Sequence, residues 1–300
     1  MMKKGKLHLN RYQYWGLAFI APWILGFLIF QFYPLISSLY TSFTDNHVLR
    51  GGNWVGLENY VRLFTRDRDF FPTVRTTIKY VLLCVPAKLA FALVVALLMN
   101  IKSRGIGLMR TIYYLPSIFG GSVAISILWR FLFMRTGLVN SITAIFGIPA
   151  VDWLGNTKTA LFTVSLVTVW QFGSSMVLFL AGLKQIPNEL YESARMDGAG
   201  AVRRFWYITL PAISSVVFFN LIMQMINAFQ EFTLPFVITD GGPANSTYLY
   251  SMMIYENGFK FLKSGYASAQ SWVMFLAIMV LTALIFKSSP YWVFYNDGDA

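Results

Sequence analysis

The sequence predicts an all-α integral membrane protein with six transmembrane helices. Three observations carry this. The chain of 300 residues is 56% hydrophobic and only 12% charged, about half the charge of an ordinary water-facing domain. Its mean hydropathy is +0.56. Its charges gather between long apolar runs instead of being spread along the chain. A surface so poor in charge has to face lipid, where every backbone polar group must be bonded internally; long continuous apolar runs then mean helices.

A hydrocarbon core about 30 Å thick needs roughly 20 apolar residues of helix. Residues 12–44, 111–129, 159–183, 205–230 and 264–286 carry no charge, and a sixth run, 80–101, is interrupted only by Lys88. Six spans follow, centred near residues 27, 90, 120, 171, 221 and 276. The first run comes after Lys3, Lys4, Lys6 and Arg11. It is too long for the apolar core of a signal peptide, and no small-x-small cleavage site ends it, so it is expected to stay as an anchor. Residues 1–11 are then a short N-terminal segment, 12–287 a single transmembrane domain and 288–300 a tail. Between spans, residues 45–79 mix charges with Trp54, Tyr60, Phe64, Phe70 and Phe71, a pattern suited to the outer membrane interface. Residues 136–151 are apolar but too short to cross, and suggest a re-entrant or interfacial element.

In a soluble protein the net charge of +11 would suggest nucleic acid. Here the cations flank apolar runs, where membrane lipid and orientation account for them, so no nucleic-acid partner is expected. An N-terminus inside puts Lys102, Arg104, Arg110, Lys184, Arg195, Arg203, Arg204 and Lys287 on the cytoplasmic side. The outer cations are diluted over longer loops among Asp45, Glu58, Asp67, Asp69, Asp152 and Asp240. Both termini are therefore expected in the cytoplasm.

Enzyme chemistry has little to draw on. Cys84 is the one cysteine, and His8 and His47 are the only histidines and lie far apart. No intrachain disulfide, metal site or histidine base is expected, and no catalytic residue is assigned.

The fifth run holds Asn220, Gln224, Asn227 and Glu231 at spacings of four, three and four, which places them on one helix face. One such residue would suggest hydrogen bonding between helices. Four in register, ending in a carboxylate, favour a wet cavity, because polar groups at membrane depth turn toward the bundle interior or water. The fourth run repeats the theme with Trp170, Gln171, Ser174 and Ser175; aromatic faces beside hydrogen-bonding groups suit a polyhydroxyl ligand. For Ser174 alone, packing of a small residue is the better reading. Lys88 and Arg130 are the cations at or near membrane depth. Snorkelling, pairing with Glu231 and meeting an anionic substrate all remain open for them.

Between the fourth and fifth runs, segment 184–211 has its own character. Asn188 follows Pro187 as a helix cap, Glu189 and Glu192 favour the N-terminal end of a short helix, Arg195 its C-terminal end, and Gly198 stops it. Ala194, Ala199, Gly200 and Ala201 leave a small-residue surface that another protein can approach closely.

Here the chain resembles a known family. Glu192-Ser-Ala-x-x-Asp197-Gly198-Ala199, followed by Phe205, Ile208, Leu210 and Pro211, resembles the EAA loop of ABC-importer permeases, with Ser193 standing where alanine is usual. Val55-Gly-Leu-Glu-Asn-Tyr60, Leu115-Pro116, Trp129-Arg130, Gly137-Leu-Val-Asn140 and Gly241-Gly242-Pro243 are similar to the carbohydrate-uptake branch, the maltose and glycerol-phosphate permease group. The resemblance implies the type I importer permease fold and a cytoplasmic coupling helix that carries Glu192, Ala194, Asp197, Gly198 and Ala199 against an ATPase. It implies substrate positions at Gln171, Phe172, Ser175, Gln224, Asn227 and Glu231, where most residue types differ from the maltose pattern. It further implies a multi-pass protein of the cell's inner membrane. The implied partners are a second homologous permease, an ATPase homodimer and an external solute-binding protein. The implied substrate is an oligosaccharide, with acidic ones such as uronate oligomers suggested by Lys88, Arg130 and Arg135.

No GxxxxGK[S/T] phosphate loop occurs in the sequence, so ATP and magnesium fall to the partner ATPase and no cofactor to this chain. The alternatives are an ion-coupled carrier, expected to show two matching halves, and an intramembrane enzyme, for which Glu231 alone is too little.

Overall fold

The computed structural model describes residues 11–101 and 104–294. The expected N-terminal segment up to residue 10, with Lys3, Lys4, Lys6 and His8, lies outside the described residues, as do Lys102 and residues 295–300 of the tail. The described chain is helical; two isolated bridges, Thr44 with Trp54 and His47 with Gly51, are its β-type pairings. The described residues fall into two compact units, one within 1–66 and 256–273 and one within 67–255 and 274–300.

In the first unit, α1 (Arg11–Phe27) continues through a wider π-type turn, Leu28–Phe32, into α2 (Tyr33–Ser42). Trp23, Phe27, Phe30 and Tyr33 are exposed along it, an apolar surface of the kind that suits lipid and not water. A tight turn region then leads to α3 (Glu58–Thr65). Asn59 is buried and its amide donates to the carbonyls of Ser42 and Thr44 at 2.9 and 2.7 Å, while Ser42 and Tyr60 share a hydrogen bond of 2.7 Å. The carbonyl of Asn46 accepts from the Gly265 amide at 2.9 Å. The Arg62 guanidinium stands 4.7 Å over the Tyr266 ring.

The second unit is organised around α4 (Phe70–Met99), a helix of 30 residues. It starts ten residues earlier than the apolar run at 80–101, so Arg75 and Lys79 lie on the helix and not in the preceding loop. Phe70 is buried, which moves it out of the expected interfacial set. One face of α4 is core, with Tyr80, Cys84, Ala92 and Ala96 fully buried. The other, through Leu82, Val94 and Leu98, is apolar and exposed, as lipid permits.

The expected third span is corrected by the structure. Residues 111–129 do not form one helix: α5 (Ile106–Phe119) ends at Gly120, and α6 (Val123–Phe133) begins after Ser122. At 14 residues α5 is short of the roughly 20 that a crossing needs. Together with α7 (Leu138–Ile145), α6 makes a stretch of span length, Val123–Ile145, that takes in much of the element expected at 136–151. Asn140 holds that connection, its amide donating to the carbonyls of Arg135 and Val151 and its oxygen accepting from the Trp153 indole at 3.0 Å.

The fourth and fifth spans are bent. Helices α8 (Ala160–Trp170) and α9 (Gly173–Gln185) meet at 47°. After α10 (Asn188–Met196), α11 (Ala201–Arg204), a π-type turn and α12 (Leu210–Ala212) form a helical stretch that meets α13 (Ser214–Phe229) at 67°. Helices α14 (Thr233–Thr239) and α15 (Tyr250–Tyr255) follow, and α16 (Ser264–Ser288) is the last long apolar helix. By length and composition the described residues hold four crossings, or up to six if each bent pair is one. The core lies where α4, α8, α9 and α13 pack together, around Val164, Met176, Phe179 and Ile213.

Candidate functional site

The break between α5 and α6 and the bend between α8 and α9 face one another. The Ser117 hydroxyl near the end of α5 donates to the Gln171 carbonyl at 3.2 Å and accepts the Ser174 amide at 2.9 Å. The Gln171 side-chain amide reaches back to the Gly120 carbonyl at 2.7 Å. Gly173 permits this approach: a Cβ there would lie 2.5 Å from the Tyr113 carbonyl oxygen and 2.7 Å from the Tyr114 Cα. Two interrupted helices are thus held together by their own loose backbone groups, leaving polar side chains at the junction.

Beside this junction is a cavity of about 480 Å³, within the range of about 300–1,000 Å³ usual for small-ligand sites. Helix α4 contributes Val85 and Lys88, the α5–α6 break Ser117 and Gly121, and the α8–α9 bend Thr168, Gln171 and Ser174. The end of α13 and the turn after it contribute Gln224, Asn227, Ala228, Gln230, Glu231, Phe232 and Thr233. Asn227 and Gln230 are exposed within it, Gln171, Ser174 and Glu231 half-buried, and Lys88 and Thr168 buried. Glu231 Oε1 accepts the Leu234 amide at 3.0 Å, so the carboxylate sits against the first turn of α14. Its backbone carbonyl accepts from Ser251 Oγ. Among the described residues, the side chains of Gln224 and Asn227 have no hydrogen-bond partner.

Of the polar face read on the fifth run, Gln224, Asn227 and Glu231 line the cavity and Asn220 does not. Asn220 is fully buried, its amide donating to the Val216 carbonyl one turn back at 3.2 Å and its Oδ1 unpartnered. Among the positions from the fourth run, Gln171 lines the cavity. Phe172 is buried against Phe91, edge to face at 4.7 Å, and Ser175 is fully buried with an unpartnered hydroxyl; neither lines it. Ser174, which alone suggested packing, does. Lys88 and Arg130 are not brought together: Arg130 is exposed on α6, 3.5 Å from the Val237 carbonyl, outside the cavity. Ser117, Thr168 and Thr233 were not singled out in the sequence. Lone hydroxyls in apolar runs look like small packing residues, and the local signals of a break near Ser117 are Pro116 and the Gly120-Gly121 pair.

At the other candidate position, α10 lies in the segment 184–211. Asn188 is its first helical residue with no side-chain cap bond, and Pro187 occupies the cap position, a correction to the expected role of Asn188. The C-terminal end closes as expected. The Gly198 amide donates to Arg195 and the Ala199 amide to Ala194, at 3.0 and 2.8 Å, with Gly198 at φ +75°; this is a Schellman end. Glu192, Asp197 and Gly198 are exposed, and Ala194 and Ala199 half-buried. Tyr191 and Thr209 share a hydrogen bond of 2.9 Å that ties the helix to the chain leading into α12. Ala194, Asp197 and Ala199 line a shallow cavity of about 350 Å³ together with Arg203, Arg204, Tyr207 and Ile208.

Residues 80–292 match the family model described as binding-protein-dependent transport system inner membrane component. The chain is 44% identical to the probable ABC transporter permease protein YesP of Bacillus subtilis, over 95% of this chain and 93% of that one. It is 33% identical to the sulfoquinovosyl glycerol transport system permease protein SmoG of Agrobacterium fabrum, over 96% of each. Its fold is similar to a chain of a bacterial ABC transporter involved in the import of the acidic polysaccharide alginate. The TM-score is 0.82 at 23% identity, over 94% of this chain and 96% of that one.

Proposed function

The chain belongs to the family of binding-protein-dependent transport system inner membrane components, the permease subunits of ABC importers, and from that premise we propose that the solute it passes is an oligosaccharide. The observation that carries the proposal is the lining of the cavity beside the two helix breaks. Gln171, Gln224, Asn227 and Gln230 offer both amide donors and carbonyl acceptors, and Ser117, Thr168, Ser174 and Thr233 offer hydroxyls of either sense. A sugar hydroxyl is likewise donor and acceptor, so a lining of mixed sense suits a polyhydroxyl solute better than an apolar one. Two relatives support the class by their names, the sulfoquinovosyl glycerol permease above and the lactose transport system permease protein LacF of Rhizobium radiobacter, 34% identical over 91% of this chain.

The rest of the assembly follows the same reading. A solute-binding protein delivers the sugar, as the family description requires. A second homologous permease completes the path, and an ATPase homodimer that binds ATP and magnesium docks on the surface formed by Glu192, Ala194, Asp197, Gly198 and Ala199. Both termini lie in the cytoplasm. An ion-coupled carrier or an intramembrane enzyme is not favoured, since the family depends on a binding protein and its members are transport components.

The experiment is reconstitution of the chain with its partner permease, ATPase and binding protein in proteoliposomes, with ATP hydrolysis measured against a panel of trisaccharides. Hydrolysis that rises with at least one sugar and its loaded binding protein is the expected result. Hydrolysis indifferent to every sugar, yet stimulated by a peptide or amino acid, overturns the proposal.

A further inference from the structure

We infer that Lys88 is a specificity residue of the transport cavity, and that it holds the carboxylate of an acidic sugar. The inference rests on the oligosaccharide reading above and goes beyond it by naming the charge of the solute and the group that reads it.

Lys88 is the one cation among the lining residues. It is 8% exposed, on the core face of α4 one turn after the buried Cys84. A cation at membrane depth that meets neither water nor a partner is costly, and such residues face a cavity and a counter-charge. Among the described residues, no carboxylate stands within 4.0 Å of it. Glu231 shares the cavity, but its Oε1 accepts the Leu234 amide at 3.0 Å and its position is set by the first turn of α14. The chain therefore gives Glu231 a backbone partner and leaves Lys88 without one in contact.

A neutral sugar can donate hydroxyls to Glu231, yet it brings Lys88 only uncharged oxygens. A uronate brings both. Its hydroxyl protons suit Glu231 and the carbonyl oxygens of Gln224 and Asn227, while its carboxylate forms a charge-assisted hydrogen bond with the ammonium of Lys88. Glu231 does not have to meet the carboxylate, because the two charged groups read different parts of one ring.

The test compares uptake of galacturonate and mannuronate trisaccharides with uptake of their carboxyl-reduced, neutral counterparts by the reconstituted complex, each with binding protein present. Wild type is expected to favour the acidic member of a pair. In Lys88→Met that preference should fall about tenfold or more, as loss of one charge-assisted hydrogen bond implies, with uptake of the neutral member falling much less than that of the acidic one. Lys88→Arg should retain a preference for acid. The thermal midpoint of the Lys88→Met complex should be unchanged or higher, because methionine removes a buried cation that has no contacting partner. Equal loss of both sugars, a complex that fails to assemble, or a wild type indifferent to the carboxylate overturns the inference and leaves the oligosaccharide reading standing. Uptake of neither series by wild type also overturns this inference, while the oligosaccharide reading is decided by the wider sugar panel above.

Discussion

Replacing Gly173 by alanine should distort the cavity wall, and the structure supplies the magnitude. The new Cβ would lie 2.5 Å from the Tyr113 carbonyl oxygen, 2.7 Å from the Tyr114 Cα and 2.8 Å from Ser117 Oγ. Two of these three neighbours are backbone, so no rotamer relieves the overlap. Helix α5 must recede from α9 by roughly 1 Å to reach ordinary contact distance. Overpacking of this kind costs about 1–3 kcal/mol. Recession also pulls Ser117 from the Gln171 carbonyl and the Ser174 amide, and an unmade buried hydrogen bond adds about 1–3 kcal/mol. Two neighbouring glycines are internal controls. At Gly120 the added Cβ meets only the Gln171 side chain, at 2.7 Å from its oxygen, and that side chain can swing into the cavity, so the cost is limited to its bond with the Gly120 carbonyl. At Gly121 nothing lies within 4 Å, and alanine should be neutral. The assay is the thermal midpoint of the detergent-solubilised complex, read beside solute uptake. The midpoint should fall in the order Gly173→Ala far below Gly120→Ala, with Gly121→Ala at wild type. A Gly173→Ala complex with wild-type midpoint and uptake would refute the close packing of the two breaks.

Ser117→Ala should remove the two hydrogen bonds that Ser117 makes at the junction without adding bulk; a midpoint loss smaller than that of Gly173→Ala, with reduced uptake, is expected, and unchanged uptake would show that Ser117 does not position the Gln171 bend. Gly198→Val places a β-branched residue at φ +75° where nothing crowds the added carbon. The penalty is conformational, on the order of 1–2 kcal/mol, and it should loosen the end of α10. Membrane insertion should be normal while solute-dependent ATP hydrolysis falls; normal coupling would count against docking at this surface.

Much of the fold was legible because lipid imposes a simple rule. A charge-free run of span length marks a helix, and residues 264–286 and most of 12–44 and 80–101 are helical on that basis. The breaks were less legible, since a break at membrane depth needs no charge. The run 111–129 divides at Gly120-Gly121, the run 159–183 bends at Gln171–Phe172 and the run 205–230 bends at Ile213, all inside unbroken apolar sequence. What closes them is contact between distant segments, such as Ser117 with Gln171 and Ser174, which no local pattern displays. The cavity shows the same division. Helical spacing placed Gln224, Asn227 and Glu231 together because they share one face near the end of α13. Asn220 has the same spacing, but it lies about one turn before Gln224, where its face is covered. The exposed Arg130 and buried Lys88 looked alike in sequence, since what covers one and leaves the other open belongs to another part of the chain.

The central claim is that the cavity beside the two breaks carries the solute, and the double substitution Gln224→Leu with Asn227→Leu tests it most directly. Neither side chain bonds to another part of the chain among the described residues, so leucine should cost the fold little while deleting donors and acceptors offered to the solute. Each hydrogen bond is worth about 0.5–1.5 kcal/mol. Uptake by the reconstituted complex should therefore fall about tenfold, with assembly and basal ATP hydrolysis at wild-type levels. Uptake at the wild-type rate, or loss of the assembled complex with normal transport in what remains, would contradict the claim and assign these side chains to helix packing.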